Sequence, residues 1–217
     1  MQSQSVENYL KTIYLLDQQG NDKVSATALA AMLGVNPPSI IDMLKKLSGR
    51  KFIKYNKSSG VKLTASGAKT ALLMVRKHRL WEMFLQEKLG YSWDEVHDIA
   101  EQLEHVQEET LADRLADFLG NPEFDPHGEP IPTTNGILPD VSQKTLQELE
   151  TNGICQIVSV KDTSKSFLQY LIRLNIGIGT RIKVIDRIEF DDSLNILIDN
   201  KVKATVSRKF AESLFVS

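Results

Sequence analysis

The sequence predicts a mainly α chain with a small β domain at its C-terminal end. Three observations predict it. Two short helical stretches flank a glycine turn and are followed by a basic hairpin; a long middle stretch at helical spacing begins the fifty-residue window that holds all four histidines; and in the last third apolar and polar residues alternate.

Residues 5–18, SVENYLKTIYLLDQ, place Val6, Tyr9, Leu10, Ile13 and Leu16 at helical spacing, with Ser5 as N-cap. Residues 25–33 form a second helix capped by Ser25, and Gly34-Val35-Asn36 reads as a turn. PPSIIDMLKKLSGR opens a third helix, its prolines tolerated in the first turn. Helix, glycine turn, helix is the form of a helix-turn-helix. The short strands Phe52–Tyr55 and Val61–Thr64 then flank Lys57-Ser58-Ser59-Gly60, which reads as a β-wing. Thr64 or Ser66 caps the long helix that follows.

A small helical bundle shows the same helix pattern without any ligand. Lys45, Lys46, Arg50, Lys51, Lys54, Lys57 and Lys62 favour a DNA partner instead, because phosphates need cations at the groove edge. Pro37, Pro38, Ser39 and Asp42 lie where the third helix would meet bases. Asp42 is either an acceptor for a cytosine amino group or a solvated charge. Charge is segregated along the chain. Residues 1–76 carry 11 Lys+Arg against 4 Asp+Glu, residues 77–140 carry 4 against 15, and residues 141–217 carry 11 against 9, which gives +7, −11 and +2. A basic first third suits a polyanion, and an acidic middle third suits cations.

The acidic middle is patterned. Read as one helix, His97 to Glu109 places His97, Glu101, Glu104, His105 and Glu108 on one face, with Ile99, Leu103 and Val106 opposite. Adjacent carboxylates repel, and a divalent metal or solvated Lys and Arg partners would relieve them. No Lys or Arg lies between Lys88 and Arg114. His78 and Glu82 form a second pair one turn apart, and two facing helices bearing such pairs build a coordination shell. Removing a carboxylate from so crowded a face is expected to stabilise the metal-free protein. The helix is expected to continue to Phe118 or Leu119.

Residues 121–140 hold five of the seven prolines and read as a linker or an ordered loop. Beyond them, ICQIVSV, TRIKVIDRIEF and NILIDNKVKATV read as strands. SKSFLQYLIRLN reads as a helix and SRKFAESLF as a closing helical turn, in a barrel-like domain. Cys155, the one cysteine, excludes an internal disulfide and reads as a buried strand residue. There is no signal-like apolar run, membrane-spanning segment, P-loop, nucleophile elbow or HExxH. A cytoplasmic location without a membrane partner is expected. A di-iron enzyme would want two Glu-x-x-His motifs, and Glu101 is followed three residues later by Glu104 instead.

SVENYLKTIYLL, LGVNPPSIIDMLKKL, VKLTASG, RKHRLWEMFL, HDIAEQLEHV and PHGEPIP together resemble the diphtheria toxin repressor and manganese transport regulator family, nearly end to end. The resemblance implies a winged helix-turn-helix DNA-binding domain (1–75), a helical metal-binding and dimerisation domain with its proline-rich segment (76–140), and an SH3-like, FeoA-like domain (141–217). It implies a homodimeric repressor that senses Mn²⁺ or Fe²⁺, controls metal-uptake genes and binds a palindromic double-stranded operator. Glu101, Glu104 and His105 match the family's primary metal site, and His78, Glu82 and His97 a second one, giving two sites per subunit. Asn8 stands where manganese sensors have Asp and iron sensors Met. Lys11 stands at a further manganese-type ligand position and cannot coordinate while charged. Glu101 replaces the cysteine of iron sensors, which suits a harder ion such as Mn²⁺. In one branch the second site draws on positions that are Asp125, His127 and Asp162 here; the other branch's Glu and Gln are replaced by Thr163 and Ser166. A metalloenzyme using the same cluster, and a winged-helix regulator without metal control, are the alternatives.

Overall fold

The computed structural model describes residues 3–18, 23–56, 58–108, 110–139, 141 and 144–217. The contacts divide the chain into two compact units. One comprises Met1–His78, Gln102–Phe118 and Pro132–Leu138; the other comprises Arg79–Glu101, Leu119–Ile131 and Pro139–Ser217.

The first unit begins with α1 (Gln4–Gln18), whose buried Val6, Leu10 and Ile13 recur at the spacing of one helical face. The helix starts one residue before Ser5, and the backbone carbonyl of Ser3 accepts from Val6 and Glu7. In α2 (Ala26–Leu33), Ser25 Oγ accepts from Ala28 N at 3.0 Å and Gly34 closes the helix at a φ of +65°. Asn36 Oδ1 caps α3 (Pro37–Gly49) through Ser39 N, with Pro37 and Pro38 in the first turn. Strands β1 (Ile53–Asn56) and β2 (Gly60–Leu63) pair antiparallel, with Lys54 opposite Lys62. Val6, Leu10, Ile13, Leu29, Ile40, Leu44, Leu47 and Val61 share one core.

The long helix α4 (Ala65–Leu89) is capped by Thr64, whose Oγ1 accepts from Gly67 N at 3.1 Å. Gly67 is pressed against the hairpin, so that a Cβ there would lie 2.0 Å from the Phe52 carbonyl oxygen. Helix α5 (Val96–Leu103) ends earlier than the sequence suggests. Glu104 and His105 form a turn, and Glu108 Oε1 accepts from the backbone and hydroxyl of Thr110 ahead of α6 (Leu111–Phe118). Past Leu103 the chain turns, with Val106 N donating to Leu103 O at 3.2 Å, and Glu108 then marks the entry to α6. A carboxylate that accepts hydrogen bonds from the chain two residues on competes with continued helix. The expected single helix is therefore two, and Glu104, His105 and Glu108 do not extend the helical face of His97 and Glu101.

The second unit holds a five-stranded antiparallel sheet ordered β6-β5-β4-β3-β7. Its strands are β3 (Ile154–Val160), β4 (Arg181–Arg187), β5 (Leu194–Ile198), β6 (Val202–Val206) and β7 (Leu214–Val216). Helix α7 (Lys165–Arg173) follows β3, and α8 (Arg208–Glu212) precedes β7. The final strand replaces the end of the expected closing helical turn. Leu214 and Val216 are buried where β7 pairs with β3, so an alternating apolar tripeptide is drawn onto the sheet. Cys155 is buried in β3, and burial pushes its thiol up to about 11.

Gly67→Ala is expected to destabilise the protein by about 1–3 kcal/mol, because backbone cannot yield to the added methyl. Gly49→Ala meets nothing within 4 Å and is expected to leave stability unchanged or raise it. Thermal unfolding of the two variants beside the wild type checks the contrast.

Candidate metal centre and nucleic-acid interface

In the first unit the exposed face of α3 carries Pro37, Pro38, Ser39, Asp42, Lys45 and Lys46, opposite buried Ile40, Leu44 and Leu47. Asp42 lies 3.5 Å from Lys45, and both side chains are largely exposed, so the pair contributes little to stability. Lys62 faces solvent directly across from exposed Lys54, an arrangement of like charges that an anion relieves. Lys23 Nζ donates to Ser58 O at 3.2 Å, and Val61 N donates to Val24 O, so the wing is tied to the segment before α2. Lys57 lies outside the described residues.

The same unit holds a buried polar cluster. Glu104 is fully buried, and its Oε2 receives Lys11 Nζ at 2.6 Å and lies 2.6 Å from His78 Nδ1. Lys11 Nζ is 3.2 Å from that same His78 nitrogen. Burial alone would raise the Glu104 carboxyl, but the His78 hydrogen bond and the Lys11 charge outweigh it and hold the group below the ordinary carboxylate value. Beside this pair, His105 Nδ1 is 3.0 Å from Glu7 Oε2, and Gln107 Nε2 donates to Glu7. With Nδ1–H directed at a carboxylate, the Nε2 lone pair of His105 turns towards Glu104 Oε1, 3.9 Å away. Glu104 Oε1 and Asn8 Oδ1 are buried oxygens without a hydrogen-bond partner. Asn8 shares the α1 face of Glu7 and Lys11. This imidazole, carboxylate and amide oxygen are the donor chemistry of Mn²⁺ or Fe²⁺, and the two orphaned oxygens fit such an ion.

The arrangement reverses one expectation. Glu104 does not stand on a crowded, repelling face, because Lys11 and His78 neutralise it. Its removal would strand a buried ammonium and destabilise the metal-free protein.

The second unit brings Glu82, Asp125 and His127 together, each offering a ligand atom within 4.8 Å of the others, and all three are buried. Glu82 comes from α4, and the other two come from the loop ahead of the β domain. His127 Nε2 donates to Trp93 O at 2.8 Å, which leaves Nδ1 as a lone pair 3.9 Å from Glu82 Oε2. Asp125 Oδ1 accepts from His127 N and Glu129 N, while Oδ2 has no hydrogen-bond partner. Burial, then the charges of Glu82 and Glu129, push the Asp125 carboxyl well above its ordinary value, against the pull of Arg79. Arg79 is buried, donates to Pro130 O at 2.6 Å and pairs with Glu129 at 2.9 Å. Gly128 runs so close to β3 that a Cβ would lie 1.9 Å from Val158 O. Asp125 Oδ2, which has no hydrogen bond and lies 3.4 Å from Arg79 Nε, and the fixed His127 tautomer fit a divalent ion.

His97 Nδ1 lies 3.3 Å from Glu82 Oε1, and His97 Nε2 lies 3.9 Å from Glu101 Oε1. Glu82 and His97 thus stand side by side, and His78 engages Glu104. Asp162 Oδ1 accepts from Ser164 N ahead of α7. Sequence reasoning missed Glu7, Gln107, Arg79 and Trp93. Only Arg79 carried a signal, as a cation one turn before Glu82.

A winged helix followed by buried carboxylate–imidazole clusters defines a metal-linked, DNA-binding class of protein. Residues 1–61 match the iron dependent repressor N-terminal DNA binding domain, residues 64–133 its metal binding and dimerisation domain, and residues 144–217 the FeoA domain. The chain belongs to this iron-dependent repressor family, that of the diphtheria toxin repressor and manganese transport regulators. It is 35% identical over 120 residues to the HTH-type transcriptional regulator MntR of Oceanobacillus iheyensis, covering 55% of this chain and 80% of that one. It is 34% identical over 128 residues to the iron-dependent repressor IdeR of Mycobacterium tuberculosis, covering 59% of this chain and 55% of the relative's length. A solved manganese-dependent transcriptional repressor in complex with manganese superposes with a TM-score of 0.90 at 34% identity, over 98% of this chain and 99% of the other. No single helix among the described residues is long and apolar enough to cross a membrane.

An acid whose folded value is raised contributes stability below its ordinary value and loses it as pH rises through the raised one. Metal-free protein should therefore lose stability from Asp125 as pH rises, and Mn²⁺ should restore it while releasing a proton. Calorimetric titration in two buffers of different ionisation heat should show that release, diminished in Asp125→Asn.

Proposed function

We propose that this chain is a metal-responsive transcriptional repressor. It acts in the cytoplasm as a homodimer on a two-fold symmetric operator of metal-uptake genes, with Mn²⁺ or Fe²⁺ as the effector. The observation that carries this reading is the double use of α1. Val6, Leu10 and Ile13 are packed into the core of the winged helix, while Glu7 and Lys11 reach His105 and Glu104. A change at the second face therefore acts on the element that carries the DNA-binding fold.

Glu104, His105 and Asn8 would hold one ion, and Glu101 is a further candidate ligand. Glu82, Asp125 and His127, with His97 beside Glu82, would hold another, and His78 and Asp162 are the remaining candidates of the second site. The bound ion supplies positive charge that carboxylates and imidazoles share. Around it Glu7 orients His105, Trp93 O orients His127, and Arg79 steadies the loop. Such a ligand shifts a conformational equilibrium only by its preference for one arrangement, here the one that presents α3 and the wing to DNA. Pro37, Pro38, Ser39 and Asp42 would face the major groove, with Lys45, Lys46, Lys57 and Lys62 on phosphate. We read a regulator and not an enzyme because the Glu82, Asp125 and His127 side chains are buried and offer no surface to a substrate. Segments 1–75, 76–140 and 141–217 would be its DNA-binding, metal-binding and accessory parts.

Operator binding by the full chain, followed by fluorescence anisotropy, should strengthen tenfold or more on adding Mn²⁺. His105→Ala should retain the weak basal binding and lose the enhancement. A His105→Ala protein that responds at wild-type Mn²⁺ concentrations would falsify the ligand assignment. Lys62→Ala should weaken binding to all sequences alike and lower the salt slope by about 1.

A further inference from the structure

Lys11 is the unusual member of the Glu104 cluster. A lysine ammonium is a strongly hydrated point charge, and its burial is tolerated only against close partners. Here Nζ, Glu104 Oε2 and His78 Nδ1 stand at mutual distances of 2.6, 3.2 and 2.6 Å, with all three side chains buried. One carboxylate oxygen, a donor type that binds a divalent ion, is committed to a cation the chain already owns, and His78 Nδ1 is engaged by that same oxygen. The other carboxylate oxygen, Oε1, has no hydrogen-bond partner and faces His105 Nε2 at 3.9 Å. Glu104 is thus divided between an answered side and an unanswered one.

We propose that Lys11 is a resident cation that takes the place of one metal ion in the helical cluster. Its ammonium holds α1 against Glu104 in the metal-free protein and leaves room for a single divalent ion on the Oε1 and His105 side. This rests on the reading of that cluster as a metal site and adds its capacity and the state of α1 without metal. Replacing Lys11 by a carboxylate turns the answered side into a Glu, Glu and His donor set of the kind that binds Mn²⁺. A methionine replacement removes the cation and supplies only a thioether, a donor too soft for Mn²⁺.

Equilibrium dialysis against Mn²⁺ counts ions per protomer of the full chain, and thermal unfolding of the metal-free protein reads the resident cation without any metal. Lys11→Glu should bind one ion more than the wild type. Lys11→Met should keep the wild-type count and melt roughly 5–15 °C lower without metal, as expected for breaking a buried pair in a chain of this size. If Lys11→Glu does not fold, the Lys11→Met result decides alone. Equal counts in the wild type and a folded Lys11→Glu, or an unshifted melting temperature in Lys11→Met, overturn this inference and leave the metal-site reading standing. A wild type that binds no Mn²⁺ overturns both.

Discussion

The structure of the first unit depends on one constraint: a fully buried carboxylate must be answered. Glu104 sits in a turn, beyond the last residue of α5, where neither helix geometry nor solvent can solvate it. An uncompensated charge in such a place costs several kcal/mol, so its partners are fixed as firmly as any apolar contact. Those partners come from far along the chain, Lys11 from α1 and His78 from α4. The ion pair thereby orients α1, and α1 in turn carries the apolar face around which α2, α3 and the hairpin pack. Electrostatics and hydrophobic burial act on opposite sides of the same helix.

The cluster in the second unit reaches order by another route. Its neighbouring cation is an arginine, Arg79. Backbone groups set the side chains instead: Trp93 O fixes the tautomer of His127 and two amides hold one oxygen of Asp125, while Arg79 braces the loop through Pro130 O. Positive charge is nearby, but Asp125 Oδ2 is left without a hydrogen bond, and its carboxyl is held in the protonated direction. One cluster is neutralised from within, while the other keeps its electrostatic tension. The two should therefore respond to metal with different proton balances.

Much of this was legible in the residues. The caps Ser25, Asn36 and Thr64, the prolines at the start of α3 and the basic hairpin all act locally, and local signals survive in sequence. Glu104 and His105 stood out by their company, but their geometry was not legible. A 3.6-residue period assumes the helix continues, whereas the chain turns after Leu103. Lys11 was visible only as a residue that could not ligate. That it answers Glu104 is a fact of tertiary structure between positions 93 residues apart, beyond any pattern in a window. The same holds for Glu7 and for Trp93, whose part is played by a backbone carbonyl with no side-chain signature. Strand β7 was missed because three residues are too few to show alternation.

The glycine against β3 bears on how freely the parts of such proteins can be exchanged. Gly128 has no room for a side chain beside Val158, and the carbonyl of neighbouring His127 accepts from Val160 N at 3.0 Å. The strand is the mould in which the loop of Asp125 and His127 is cast, although the Glu82 cluster draws no member from it. The β domain is thus not a detachable module in the evolutionary sense. A recombinant that grafts this segment from a relative inherits a working loop only if the donor's β3 follows the same path, so loop and strand are bound to change together or not at all.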